Sequence, residues 1–147
     1  MYKNVMVTTD GSKLANKAVK AAIAFAKSLG SRLTVYQGLE DNLSLFISDG
    51  YAMPADTLAR IEADARARAQ ANLDAARKAA EAAGVPCDTL IGRPGLPWQG
   101  IIDAAKKKKC DAIFMASHGR RGLAGVLLGS VTHSVLTHSK IPVVVYR

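Results

Sequence analysis

Ala112-Ile113-Phe114-Met115-Ala116-Ser117-His118-Gly119-Arg120-Arg121-Gly122-Leu123-Ala124-Gly125-Val126-Leu127-Leu128-Gly129-Ser130 joins a short apolar run to a loop containing four glycines. The run Ala112–Ala116 does not alternate, which marks a strand buried on both faces, and such strands belong to parallel sheets covered by helices. Beyond the loop, a helix is predicted from about Gly129 to Ser139 and a last strand from Ile141 to Tyr146. Working backward, Lys106 to Lys109 close a helix that runs through Ile101, Ile102 and Ala105 and begins near Pro97, after the turn Gly92-Arg93-Pro94-Gly95. Cys87 to Ile91 reads as a third strand. Pro54 opens the longest helix, in which Leu58, Ile61, Ala65, Ala69, Leu73, Ala76, Ala80 and Ala83 recur near every 3.6 residues until Gly84. Leu33-Thr34-Val35-Tyr36 is a second strand. Gly38 to Met53 is a long connection whose apolar Leu43, Leu45, Phe46, Ile47 and Tyr51 pack on another part of the chain, and because it leaves the carboxyl end of strand two it is expected near a ligand crevice.

At the start of the chain, Asn4 to Thr9 forms a strand, Asp10-Gly11 turns, and Ser12 caps a helix. That helix carries Ala15, Ala18, Ala22, Phe25 and Leu29 on one stripe and ends at Gly30. The order β-α-β-α-β-α-β-α-β with right-handed crossovers gives an α/β fold, a Rossmann-like five-stranded parallel sheet with helices on both faces.

The 147 residues fit one domain, residues 1–147, and with 49% hydrophobic and 22% charged residues the chain can bury a real core. The longest uninterrupted apolar run, Ala21 to Ala26, is far short of a membrane span, and no secretory h-region develops before Thr8-Thr9-Asp10, so a cytoplasmic protein with no membrane partner is expected. Cys87 and Cys110 lie at no metal-ligand spacing and read as buried small hydrophobes. The net charge of +8 is uneven. Residues 1–105 carry 12 Lys or Arg against 11 Asp or Glu, whereas residues 106–147 carry 8 against Asp111 alone, so an anionic partner is expected near the last third.

The glycine loop suits phosphate, because backbone amides there can approach a ligand with no Cβ in the way. Gly129-Ser130 at a helix start aims the amides of Ser130, Val131 and Thr132 at an anion, with hydroxyls from Ser130 and Thr132 beside them and charge from Arg120 and Arg121. By spacing alone it is equally a surface loop with a capping serine. If strands one and four are neighbours at the point where strand order reverses, the Thr8–Ser12 turn faces this loop across one crevice. Asp10 then suits a ribose hydroxyl, an adenine amino group or a phosphate-bound Mg²⁺, or else caps its own helix. His118 can touch a ligand, while His133 and His138 read as helix-surface residues and Trp98 as an anchor for its helix. No histidine has a carboxylate at the spacing of a metal site or a catalytic triad. Lys106 to Lys109 end a helix at the opposite end of the sheet and read as cations satisfying its C-terminus, which makes nucleic acid an unlikely partner.

Gly119, nine residues and then Gly129-Ser130, with Val7-Thr8-Thr9-Asp10-Gly11-Ser12, Gly95-Leu96-Pro97 before Ile101, and Ile141-Pro142-Val143-Val144-Val145, resemble the universal stress protein A family over nearly the whole chain. The resemblance implies an adenine nucleotide alpha hydrolase-like fold and an ATP-binding signature G-x2-G-x9-G-[S/T]. Ala116 stands where the ATP-binding subgroup has its first glycine. The family's nucleotide contacts map onto Thr8, Asp10, Met115 and Gly38, the last standing where valine is common. The resemblance implies ATP with Mg²⁺ as ligand and a homodimer pairing the Ile141–Tyr146 edge strands. The expected protein is a stress-response regulatory module that binds ATP and hydrolyses it slowly at most. The alternatives are a nucleotide-free dimerising module, supported by Ala116 and Gly38, and an adenylating enzyme, against which Thr8–Ser12 lacks the full Ser-Gly-Gly-x-Asp-Ser loop.

Overall fold

In the computed structural model, which describes residues 1–40, 53–120, 122 and 127–147, five strands alternate with four helices. They are β1 (Asn4–Thr8), α1 (Lys13–Leu29), β2 (Arg32–Gln37), α2 (Ala55–Ala82), β3 (Cys87–Ile91), α3 (Pro97–Lys107), β4 (Ala112–Ala116), α4 (Ser130–His138) and β5 (Val143–Tyr146). The strands form one parallel sheet in the order β3-β2-β1-β4-β5. β1 and β4 lie side by side, which meets the condition under which the Thr8–Ser12 turn faces the glycine loop. β4 is buried at every residue, as its unbroken apolar run required.

The two-residue period of the strands divides the core. Val5, Val7, Leu33, Val35, Ala112 and Phe114 face α1 and α2, whereas Met6, Tyr36, Ile113 and Met115 face α3 and α4. Local chemistry sets the helix ends. The Ser12 hydroxyl accepts from the Ala15 amide at 3.2 Å, and Gly30 closes α1 in the left-handed conformation at φ 64° that a side chain would oppose. Lys109 ends α3 in the same conformation, at φ 53°.

Several boundaries move. β1 ends at Thr8 rather than Thr9, although the Thr9 amide still donates to Tyr36 O at 2.9 Å. The predicted Ile141–Tyr146 strand begins at Val143, because Pro142 has no N–H and contributes only its carbonyl, which accepts from Ile113 N at 2.8 Å. The stripe of α1 runs through Val19, Ile23 and Ala26, leaving Phe25 and Leu29 half-buried. In α2 the buried positions are Ala69, Leu73, Ala76 and Ala80, while Leu58, Ile61 and Ala65 are only half-buried. Cys110 is buried as expected but Cys87 is half-buried, and both are free thiols. Burial raises both thiols, Cys87 to about 11. Leu43, Leu45, Phe46, Ile47 and Tyr51, and with them the expected cover over the crevice, lie outside the described residues, as does Arg121. No helix among the described residues is long and apolar enough to cross a membrane.

Candidate functional site

At the carboxyl ends of β1 and β4 the chain departs to opposite sides, the place where sheets of this kind hold ligands. A crevice of about 850 Å³ opens there. Thr8, Asp10, Gly38, Met115, Ala116, His118, Gly119, Arg120, Gly129, Ser130, Val131 and Thr132 all line it, so residues distant in the chain meet in one cleft.

The α4 end of the crevice presents backbone amides with no partner in the helix. Gly129 is the N-cap of α4 and offers no side-chain cap, and the first helical bond runs from His133 N to Gly129 O at 2.9 Å. The amides of Ser130, Val131 and Thr132 precede that bond and have no helical carbonyl to meet. Gly129 N donates to Ser117 O at 2.7 Å, tying the loop's exit to its entrance. A Cβ on Gly129 would lie 3.2 Å from His118 Cα and 3.3 Å from Ser117 O, so any side chain there would press these two backbone segments apart. The Thr132 hydroxyl was expected beside the anion; it is buried and donates instead to Ala116 O at 3.0 Å. It anchors the helix to β4, which leaves the exposed Ser130 hydroxyl at the helix start.

Asp10 joins the two walls. Its Oδ1 accepts from Ser12 N at 2.9 Å and its Oδ2 from Arg120 N at 2.6 Å, while Arg120 Nη2 donates to Asp10 O at 2.7 Å. Arg120 thus clips the glycine loop onto the first turn, where a free phosphate-facing cation was expected. Gly119 makes the clip possible, since a Cβ there would come within 2.7 Å of Asp10 Oδ2. Burial works to raise the Asp10 carboxyl, but hydrogen bonds from Ser12 and Arg120 and the guanidinium charge outweigh it and hold the group below its ordinary value. A carboxyl lowered by folding favours the fold fully above its unfolded pKa, near 3.9, and loses that contribution as pH falls through the folded value. We therefore expect Asp10→Asn to destabilise the protein at pH 7 and the gap from the parent to narrow toward pH 2–3. Urea unfolding at both pH values measures this, and an equal gap at both would refute it.

The wall formed by Arg93, Gly95, Leu96, Pro97 and Trp98, after β3, was not foreseen as part of the crevice. The turn signals Gly92–Gly95 marked the loop without showing which way it faces. Trp98 anchors α3 as expected, by stacking on His138 of α4 with ring centroids 4.2 Å apart. His138 is thus a surface residue with a packing role. Tyr36 and Leu39 also line the crevice and were not foreseen.

Known proteins share this fold. Universal stress protein MJ0531 of Methanocaldococcus jannaschii is 32% identical over 148 residues, covering 100% of this chain and 83% of the relative. The solved universal stress protein UspA from Lactobacillus plantarum superposes with a TM-score of 0.84 at 25% identity, covering 99% of this chain and 98% of that one. A universal stress protein solved in complex with cAMP superposes with a TM-score of 0.73 at 27% identity, over 99% and 97% of the two chains. A model of the Universal stress protein family matches residues 1–147. With a family match over its whole length and a relative 32% identical across it, this chain belongs to the universal stress protein family.

Proposed function

We propose that this chain binds an adenine nucleotide, ATP with Mg²⁺, in the crevice between β1 and β4, and acts as a stress-response module whose occupancy sets a conformation or a partner contact. The observation that carries the reading is the uncapped start of α4, whose first amides meet a glycine joint at the foot of the crevice. The solved relative in complex with cAMP supports an adenine nucleotide as the ligand class. Asp10 fits magnesium, which takes one or two carboxylates and otherwise keeps to phosphate oxygens and water. Its carboxyl is held ionised, and each oxygen that accepts an amide retains a second lone pair. Mass spectrometry of the purified protein should find a co-purified adenine nucleotide, and calorimetry should detect Mg-ATP binding. Ala116→Gly, which restores the signature glycine, should leave affinity unchanged or raise it. No heat from either protein at millimolar nucleotide, with none co-purified, overturns the reading.

The nucleotide-free alternative works through dimerisation, which both readings share. β5 is an edge strand of half-buried Val143, Val144, Val145 and Tyr146, bonded on one side to β4. Such an edge is a template for pairing, and a two-fold dimer would continue the sheet. Sedimentation at micromolar concentration should give twice the 15.5 kDa chain mass; a monomer alone would refute it.

A further inference from the structure

Tyr36, at the end of β2, is a polar group in the crevice that the phosphate end does not use. The residue is 3% exposed and packs among Met6, Ile101 and Met115 on the α3 side of the sheet, yet it also lines the crevice. Its hydroxyl makes no hydrogen bond to any described residue. No side-chain oxygen or nitrogen among the described residues is both sealed from solvent and unpartnered, so this hydroxyl opens on the crevice. If its task were packing alone, phenylalanine would fill the place as well, with no hydroxyl at the crevice wall.

Gly92 and Gly100 make room for the hydroxyl, and Gly38 stands at ordinary contact distance from it. A Cβ on Gly100 would lie 2.6 Å from Tyr36 Oη, one on Gly92 nearer still, and one on Gly38 at 3.6 Å. Gly38 lines the crevice next to Tyr36. With no side chain there, the crevice gains access to the hydroxyl in place of an apolar surface.

We propose that the Tyr36 hydroxyl reads the base of the bound nucleotide, making a hydrogen bond to the purine edge beside Gly38. A phenol both donates and accepts, and the purine edge carries ring nitrogens and an exocyclic amine that match either role. Burial, with the negative charge of Asp103 adding to it, pushes the phenol up from its ordinary value, so it keeps its proton at neutral pH.

This inference rests on the nucleotide reading, and Tyr36→Phe separates the two. Calorimetry with Mg-ATP should show Tyr36→Phe binding roughly three- to tenfold more weakly than the parent, the effect of one hydrogen bond. Its melting temperature should stay within about 1 °C of the parent or rise, because the hydroxyl has no protein partner to lose. In protein carrying carbon-13 at the tyrosine ring carbon that bears oxygen, the one signal missing from Tyr36→Phe should shift when Mg-ATP is added to the parent. Equal affinities, an unmoved Tyr36 signal, or weaker binding accompanied by a lower melting temperature overturn the inference while leaving the nucleotide reading intact. A parent protein that does not bind Mg-ATP overturns both.

Discussion

Gly129→Val is expected to weaken Mg-ATP binding by on the order of a hundredfold or more. The amides of Ser130, Val131 and Thr132 can meet an anion only if the backbone arriving from the loop passes close behind them. Gly129 allows this by lying against His118 Cα and Ser117 O, where a Cβ would stand at 3.2 and 3.3 Å. Valine adds two methyl groups beyond that Cβ, so the joint must open and the first turn of α4 must turn away. Losing two charge-assisted hydrogen bonds there would remove roughly 3–6 kcal/mol of binding. The neighbours at 129 are backbone atoms, so the fold is also strained, by roughly 1–3 kcal/mol. A second variant separates the effects. Ser130→Ala removes one exposed hydroxyl, keeps every amide and should bind within about tenfold of the parent. Calorimetry on both variants at a temperature where each is folded gives the comparison. Near-parental affinity in Gly129→Val would mean that the anion does not meet the start of α4.

What could be read in advance depended on how far each signal extended along the chain. β4 was legible because burial on both faces leaves an unbroken apolar run, and α1 because Ser12 and Gly30 state its ends in local chemistry. The glycine joint was legible for the same reason, lying within one loop. The facing of Asp10 and the glycine loop could be stated as a condition on strands one and four being neighbours, because the handedness of crossovers does not fix strand order. Their actual contact could not. The clip between Arg120 and Asp10 joins residues 110 apart, and nothing in either segment distinguishes an arginine turned toward phosphate from one turned back on a carboxylate. The Thr132 hydroxyl was similarly ambiguous until the height of α4 above Ala116 O was fixed by packing. Tyr36 was hidden in another way. In a short β-prone run, a tyrosine reads as one more core aromatic, and only the three-dimensional meeting of Gly92 and Gly100 shows that space is kept for its hydroxyl.

That meeting makes the second large effect calculable. Gly92 is buried, and its amide extends the β2–β3 pairing by donating to Gln37 O at 2.8 Å, so its backbone cannot easily retreat. A Cβ there would overlap Tyr36 Oη and lie 2.7 Å from Cζ and 3.0 Å from Cε2, which means that the ring itself, and not only its tip, is in the way. Tyr36 is enclosed by Met6, Ile101 and Met115 and has no second place in the core. Gly92→Ala is therefore expected to destabilise by about 2–3 kcal/mol, a fall in melting temperature of roughly 4–12 °C. Gly100→Ala provides the contrast. Its Cβ would meet Oη at 2.6 Å but Cζ only at 3.8 Å, so the conflict is with the hydroxyl alone. In a Tyr36→Phe background, Gly100→Ala should lose its cost and even stabilise by up to ~1 kcal/mol, since alanine is the better residue within α3. Gly92→Ala should recover only in part, because the ring carbons remain. Thermal unfolding of the two single variants and the two pairs tests this directly. Equal recovery of both in the phenylalanine background would mean that the ring does not lie where the close approach to Gly92 requires it.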